Sequence, residues 1–166
     1  FFSLAFCNFK EKMKNFFLLF LISSFLFSCQ KNTENGVKET ISTDTLLQKN
    51  GIVVHFKKFP RPLITLKRDQ TVYSENYQKR LYKIAEYYLA NSQRDLVKYH
   101  LQNPDANIGF SMEENDWEEV NYTQIGIFNK VGSNLTTLQW LFYNPKTQQL
   151  FEYDLNLKKM TPFPLK

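Results

Sequence analysis

Apolar and polar residues alternate along the chain in patterns that predict different secondary structures. A stretch rich in β-branched and aromatic residues, Gly51–Phe59, is followed by the similar segment Leu63–Lys67. Pro60 and Pro62 lie between them and favour a turn at an edge or corner, because proline cannot donate a hydrogen bond to a strand ladder. The pattern predicts an N-terminal strand pair made of these two segments.

A helical pattern follows. Apolar residues recur every three or four positions, which places them along one side of a helix. They are Tyr73, Tyr77, Leu81, Ile84 and Tyr88. We predict a helix from about Ser74 to Ala90, with Ser74 as the N-cap. A second, shorter helix is predicted to open at Ser92–Asp95, which resembles a capping box, and to end at Asn103–Pro104.

From residue 107 onward, short apolar runs are separated by turn residues and predict strands. The runs cover 107–112, 122–130, 135–143 and 149–155. In the last two runs, alternate residues form stripes that we expect to pack against the helices: Leu138, Trp140 and Phe142, then Phe151, Tyr153 and Leu155. The fold class is therefore predicted to be α+β, with the strand pair, two helices and a C-terminal antiparallel meander of three to four strands. Glu152 and Asp154 are predicted to face water.

The start of the chain has a different character. Residues 16–28 form an uncharged apolar run that ends at Cys29, and Met13 and Lys14 precede it. A methionine, a positive charge, an apolar run and a small residue form the layout of a secretory signal. The run is too short to cross a bilayer, which takes roughly 20 apolar residues in a helix. We expect it to be cleaved.

The junction Leu26-Phe27-Ser28-Cys29 resembles the lipobox of bacterial lipoproteins, in which an aliphatic residue lies three positions before the cysteine and a small residue directly before it. Phe27 departs from the pattern, which usually has a smaller side chain there. The resemblance covers residues 13–30 and implies cleavage after Ser28 and attachment of a lipid to the Cys29 thiol. The membrane is then a partner, reached through the lipid on Cys29.

The resemblance also implies a location. Gln30 and Lys31 stand where some lipoproteins carry an acidic retention signal. The absence of that signal resembles outer-membrane lipoproteins of Gram-negative bacteria, and it implies a place in the outer membrane facing the periplasm. Richness in Phe, Lys and Asn is similar to envelope lipoproteins of the Bacteroidota. The chain then divides into residues 1–12 upstream of the start, a signal peptide at 13–28, a flexible tether at 29–50 and a single α+β domain at 51–166.

The overall charge excludes little, but its distribution is informative. The chain has a formal charge of +5, and removal of residues 1–28, which contain three lysines and one glutamate, leaves +3. Nucleic acid is not an expected partner, because a binding module would gather its basic residues on one surface. Residues 49–100 are basic and residues 101–157 acidic, so either the two halves attract each other within the fold or the basic half offers a face to an anionic partner.

The candidate binding face combines cations with an aromatic residue. It consists of Lys79, Arg80, Lys83, Arg94, Lys98 and Tyr82. Such a face could bind an envelope protein or an anionic glycan, while the alternative is a pair of amphipathic helices with solvated charges. We predict no metal site and no cofactor, since neither histidine has a ligand partner at metal spacing and no phosphate-binding glycine motif is present.

Taken with the signal, these features predict a lipid-anchored envelope protein with a small non-catalytic binding domain. A more specific version is an immunity or inhibitor protein. The alternative is a small envelope hydrolase that uses a carboxylate with His55 or His100, and a histidine within hydrogen-bond reach of a carboxylate would distinguish it.

Overall fold

The structure, a computed structural model, describes residues 42–166. Segments 1–12 and 13–28, the lipobox junction and Cys29 lie outside these residues. The predicted α+β class is confirmed, and the elements follow in this order: β1 (Thr43–Leu47), β2 (Val53–Lys57), β3 (Ile64–Lys67), α1 (Glu75–Asn91), α2 (Asp95–Gln102), β4 (Asn107–Trp117), β5 (Val120–Val131), β6 (Asn134–Asn144), β7 (Gln149–Asp154) and β8 (Lys159–Phe163).

The N-terminal strand pair exists, but its partners differ from the prediction. β2 pairs antiparallel with β1, whereas β3, which we had assigned to this pair, lies parallel to β4. A turn that includes Gly51, at φ +80°, connects β1 to β2. Such a φ is readily adopted by glycine. The predicted pairing of Gly51–Phe59 with Leu63–Lys67 was therefore wrong, because an upstream strand supplies the partner.

That upstream strand lies within the segment predicted as a tether. β1 begins at Thr43, eight residues before the predicted start of the domain at residue 51. The segment is polar overall, but Leu46 is fully buried in the core together with Val54 and Phe56 of β2. One well-placed leucine is enough to attach a short polar strand to an apolar face.

The second sheet has six strands in the order β3-β4-β5-β6-β7-β8. Strands β4 to β8 form an antiparallel meander of successive hairpins, one strand longer than the upper limit of the prediction. β8 was not predicted, because it contains Pro162 and proline is unfavourable in an interior strand. Its position at the sheet edge explains the tolerance, since an edge strand does not need every ladder donor.

The helices pack on one face of this sheet. Ser74 caps α1 as predicted, and its hydroxyl accepts a hydrogen bond from the Tyr77 N–H at 3.3 Å. The predicted capping box at α2 was wrong: Arg94 is the N-cap and makes no side-chain capping bond. The Ser92 hydroxyl instead accepts from the Arg94 N–H, just before the helix begins.

The face of the sheet that packs against the helices is the opposite of the predicted one. Tyr143 and Glu152 contact α1 side chains, so their neighbours along the strands, Phe142, Phe151 and Tyr153, lie on the outer face. The predicted stripes and the predicted exposure of Glu152 were therefore wrong, although Leu138 is buried in the core. Alternation fixes which residues share a face but not which face is covered, and here both faces carry large side chains.

The outer face has its own packed rings. Trp117 lies 5.3 Å from Tyr153 and 6.0 Å from Phe142 between ring centroids, and Tyr122 lies 5.9 Å from Phe142. Trp117 lies between the predicted strand runs 107–112 and 122–130, and β4 is longer than predicted because it continues through Trp117. The turn to β5 consists of Glu118 and Glu119, both with positive φ.

Candidate functional site

A groove of about 410 Å³ lies between α1 and strands β1, β3 and β4. We call it the α1 groove. Its lining combines apolar, amide and charged side chains from four elements. They are Asp44, Thr65, Gln78, Lys79, Tyr82, Lys83, Phe110 and Met112. A hollow of this size is within the usual range for binding sites in proteins.

The floor of the α1 groove is apolar. Phe110 and Met112 of β4 are buried side chains of the main core, and the Tyr82 ring packs edge-on against Phe110 at 5.8 Å. Because alternate residues of β4 point the same way, these two side chains line one side of the strand together. The floor is thus fixed by the sheet rather than by a mobile loop.

Lysines form the rim. The Lys83 ammonium donates to Asp44 Oδ1 and to the Thr45 carbonyl, both at 3.0 Å. Among residues 42–166, Lys79 pairs with Glu75, one turn earlier at 2.5 Å, and both side chains are largely exposed. An exposed pair of this kind contributes little, so the Lys79 ammonium can exchange its partner for a ligand. With one aspartate and two lysines, the lining carries one net positive charge.

A chain of ion pairs extends from Asp44 at the rim to Lys58 and Glu86. Lys58 lies 3.8 Å from Asp44 and 3.3 Å from Glu86, whose side chain is only 3% exposed. Burial raises the pKa of Glu86, although Lys58 opposes the shift. Burial would also raise the pKa of Asp44, but the Thr45 N–H and the Lys83 ammonium outweigh it and lower that pKa. Asp44 therefore stays ionised and holds Lys83 at the rim.

The six predicted face residues do not form one surface. Lys79, Tyr82 and Lys83 line the α1 groove, whereas Arg80 points towards the sheet and donates to the Tyr143 hydroxyl at 2.6 Å. Two others lie at or in α2: Arg94 pairs with Glu152 at 3.2 Å, and Lys98 donates to Gln93 at 2.7 Å. Arg94 joins the basic half of the chain to the acidic half, which is the mutual attraction that the charge distribution suggested.

The histidines lie apart from the carboxylates. His55 is exposed on β2, and His100 Nδ1 lies 3.2 Å from the Asn129 amide nitrogen. In residues 42–166, neither histidine forms an ion pair with an acidic side chain, and no group of three His, Cys, Asp or Glu could hold a metal. The hydrolase alternative thus lacks geometric support in this part of the chain.

The sequence did not reveal three parts of the site. Asp44 lay in the presumed tether, and Phe110 and Met112 read as ordinary core positions of a strand. The parallel placement of β3 beside β4 brings Thr65 next to Phe110 and so completes this side of the groove. No long-range signal of that pairing exists in a single sequence.

The fold and the groove define a small α+β domain whose candidate site combines lysines with an apolar floor. Comparison with known proteins gives no match: no family model, no curated protein and no solved structure is similar to the chain. Within the described residues, neither helix has the length and apolar character needed to span a bilayer.

Proposed function

We propose that the protein is a lipid-anchored, non-catalytic binding protein of the cell envelope, held in the outer membrane through Cys29 and facing the periplasm. The lipobox resemblance at Leu26–Cys29 supports the anchor. The α1 groove supports the proposed binding function, because it places Lys79, which can exchange its ion-pair partner, beside an apolar floor.

The groove suits an acidic segment of an envelope protein better than an anionic glycan. An apolar side chain of such a segment would contact the floor at Phe110 and Met112, while a neighbouring carboxylate would replace Glu75 as the partner of Lys79. A glycan would use the lysines and stack on the Tyr82 ring, but its hydroxyl groups would find few polar partners at the apolar floor. An immunity or inhibitor protein, which blocks a toxin by direct contact, is the specific form of this proposal.

The anchor is tested by replacing the modified residue. Cys29→Ala is expected to abolish incorporation of labelled palmitate and to shift the protein out of the membrane fraction, since two or more acyl chains are what hold such a protein stably. Unchanged membrane association and processing of the variant would contradict the anchor.

The groove is tested by affinity capture from envelope extract with quantitative mass spectrometry. Lys79→Glu reverses the exchangeable charge and is expected to reduce recovery of the specific partner at least tenfold. Lys146→Glu, at an exposed position that does not line the groove, is the charge-matched control and is expected to leave recovery unchanged. Equal recovery with both variants would exclude the groove, and recovery of glycan alone would exclude a protein partner.

A further inference from the structure

The turn between β6 and β7, residues 144–149, shows how this sheet builds a four-residue loop. The side-chain oxygen of Asn144 accepts hydrogen bonds from the backbone N–H groups of Lys146 and Thr147, at 2.9 and 3.1 Å. Gln148, the last loop residue, has a φ of +59°. The loop is polar, as is usual for an exposed turn.

The next turn, between β7 and β8, repeats this geometry ten residues later. Asp154 Oδ1 accepts from the N–H groups of Asn156 and Leu157, at 2.9 and 3.0 Å, and Lys158 has a φ of +48°. The two loops lie at opposite ends of β7. They are therefore a matched pair with one backbone geometry and two different sets of side chains.

The side chains of the second turn are unusual for a loop. Leu155 and Leu157 are 66% and 73% exposed, and they stand where the first turn has Pro145 and Thr147. The turn geometry does not require leucine, because the sister turn forms without it. Two leucines exposed on one hydrogen-bonded turn form an apolar tip that suits contact with an apolar phase.

The charged residues beside the two leucines indicate which apolar phase they meet. Lys158 and Lys159 follow the leucines directly, and both are exposed. The one acidic residue of the turn, Asp154, is engaged by its own backbone and lies 3.9 Å from Arg94. Leucines that enter the boundary of the acyl chains, with lysines at the level of anionic headgroups, are the pattern of an interfacial membrane contact.

We propose that the β7–β8 turn docks on the anionic surface of the membrane that carries the lipid anchor. This inference rests on the proposed anchor at Cys29. Fourteen positions separate Cys29 from Thr43, a distance of at most about 50 Å along the chain. A domain of this size has a radius of gyration of roughly 14 Å, so the tether is long enough for the turn to reach the bilayer.

The matched turns supply the experiment. The mature chain contains no cysteine after the acylated Cys29, so a single introduced cysteine can carry an environment-sensitive fluorophore. Leu157→Cys and the equivalent Thr147→Cys are labelled in the lipidated protein and reconstituted in phosphatidylethanolamine vesicles with or without phosphatidylglycerol. Quenching by lipids that carry a quencher in the acyl chain reports depth.

The label at position 157 is expected to be quenched at least threefold more than the label at 147, and more strongly when phosphatidylglycerol is present. Equal quenching of the two labels on vesicle-bound protein would overturn the inference and leave the anchor intact. Protein that fails to remain on the vesicles would contradict the anchor itself. Protection of position 157 that appears only when envelope proteins are added would replace the bilayer with a protein partner.

A second variant separates docking from folding. Leu155→Pro combined with Leu157→Thr gives this turn the residues that its sister has at these two positions, and it keeps Asp154 as the acceptor of the turn. Circular dichroism and the urea midpoint are expected to stay unchanged, while a label at Asn156→Cys in this background loses its quenching by lipid. Retained quenching would overturn the inference.

Discussion

Asn144 and Asp154 perform the same task at the two ends of β7. Each side-chain oxygen accepts hydrogen bonds from the backbone N–H groups two and three positions later. An acceptor placed in this way supplies the loop with the hydrogen bonds that it would otherwise make to water. Each of the last two hairpins therefore uses one side chain to satisfy two backbone N–H groups of its loop.

Replacing either acceptor is expected to destabilise the domain. Asp154→Ala removes two hydrogen bonds and is expected to lower the free energy of unfolding by about 1–2 kcal/mol, measured by urea denaturation. Asp154→Asn keeps an acceptor oxygen and is the control, with a smaller loss expected. If both variants lost the same amount, the charge opposite Arg94 would matter rather than the turn.

Glu152 is expected to be a stabilising residue rather than a surface charge. Its carboxylate accepts from the Tyr88 hydroxyl at 2.8 Å and from Arg94 Nε at 3.2 Å. Glu152→Ala leaves a buried hydroxyl without its partner and is expected to cost about 1–3 kcal/mol in urea denaturation. Tyr88→Phe removes the hydroxyl as well, so the double variant should lose less than the two single losses added together.

Glu86 is expected to make stability depend on pH. Folding raises its pKa above the ordinary value of 4.5, so the native state binds the proton more tightly than the unfolded chain does. Its contribution to the free energy of unfolding therefore falls as the pH rises above about 4.5. Glu86→Gln removes this dependence, and its stability relative to the parent protein is expected to rise between pH 4.5 and pH 7.

The measurement is urea denaturation of both proteins at several pH values. Glu75→Gln, at an exposed position of the same helix, is the control for an added amide in α1. If the stability of Glu86→Gln relative to the parent protein fell between pH 4.5 and pH 7, the sign of the pKa shift would be wrong.

Gly109 and Gly126 are expected to be required because a side chain would not fit there, not because the backbone needs the conformational freedom of glycine. A Cβ at Gly109 would collide with the Ile64 carbonyl of β3, and one at Gly126 would lie 2.5 Å from the Trp140 ring. Overpacking of this kind typically costs about 1–3 kcal/mol. Gly109→Ala is expected to be the more harmful, since the opposing atom is backbone; equal thermal unfolding temperatures would contradict this ranking.

Much of the fold could be predicted because its signals are local. The tyrosine and leucine spacing defined α1 to within one residue at each end, and Ser74 was found as its cap. The pairing of β3 and the covered face of the sheet could not be predicted. Both depend on contacts between distant segments, and Phe142 and Tyr143 are equally plausible core residues from the sequence.

The predicted residues of the α1 groove all lie on α1, and the residues that β1, β3 and β4 contribute were not predicted. Lys79, Tyr82 and Lys83 lie three and four positions apart, so they share a side of α1. Arg80 lies about 100° from Lys79 around the helix, on the side away from Tyr82, and it points to the sheet. Arg94 and Lys98 follow a break in the helix, after which the direction of the chain is set by packing that the sequence does not display.

The parallel pairing of β3 with β4 has a consequence for how the molecule assembles. Strands β4 to β8 each neighbour the next in sequence, so their contacts close short loops at a low cost in entropy, whereas pairing of β3 with β4 closes a longer loop that contains both helices. We therefore expect the C-terminal meander to form early and β3 to be the last strand to join the sheet.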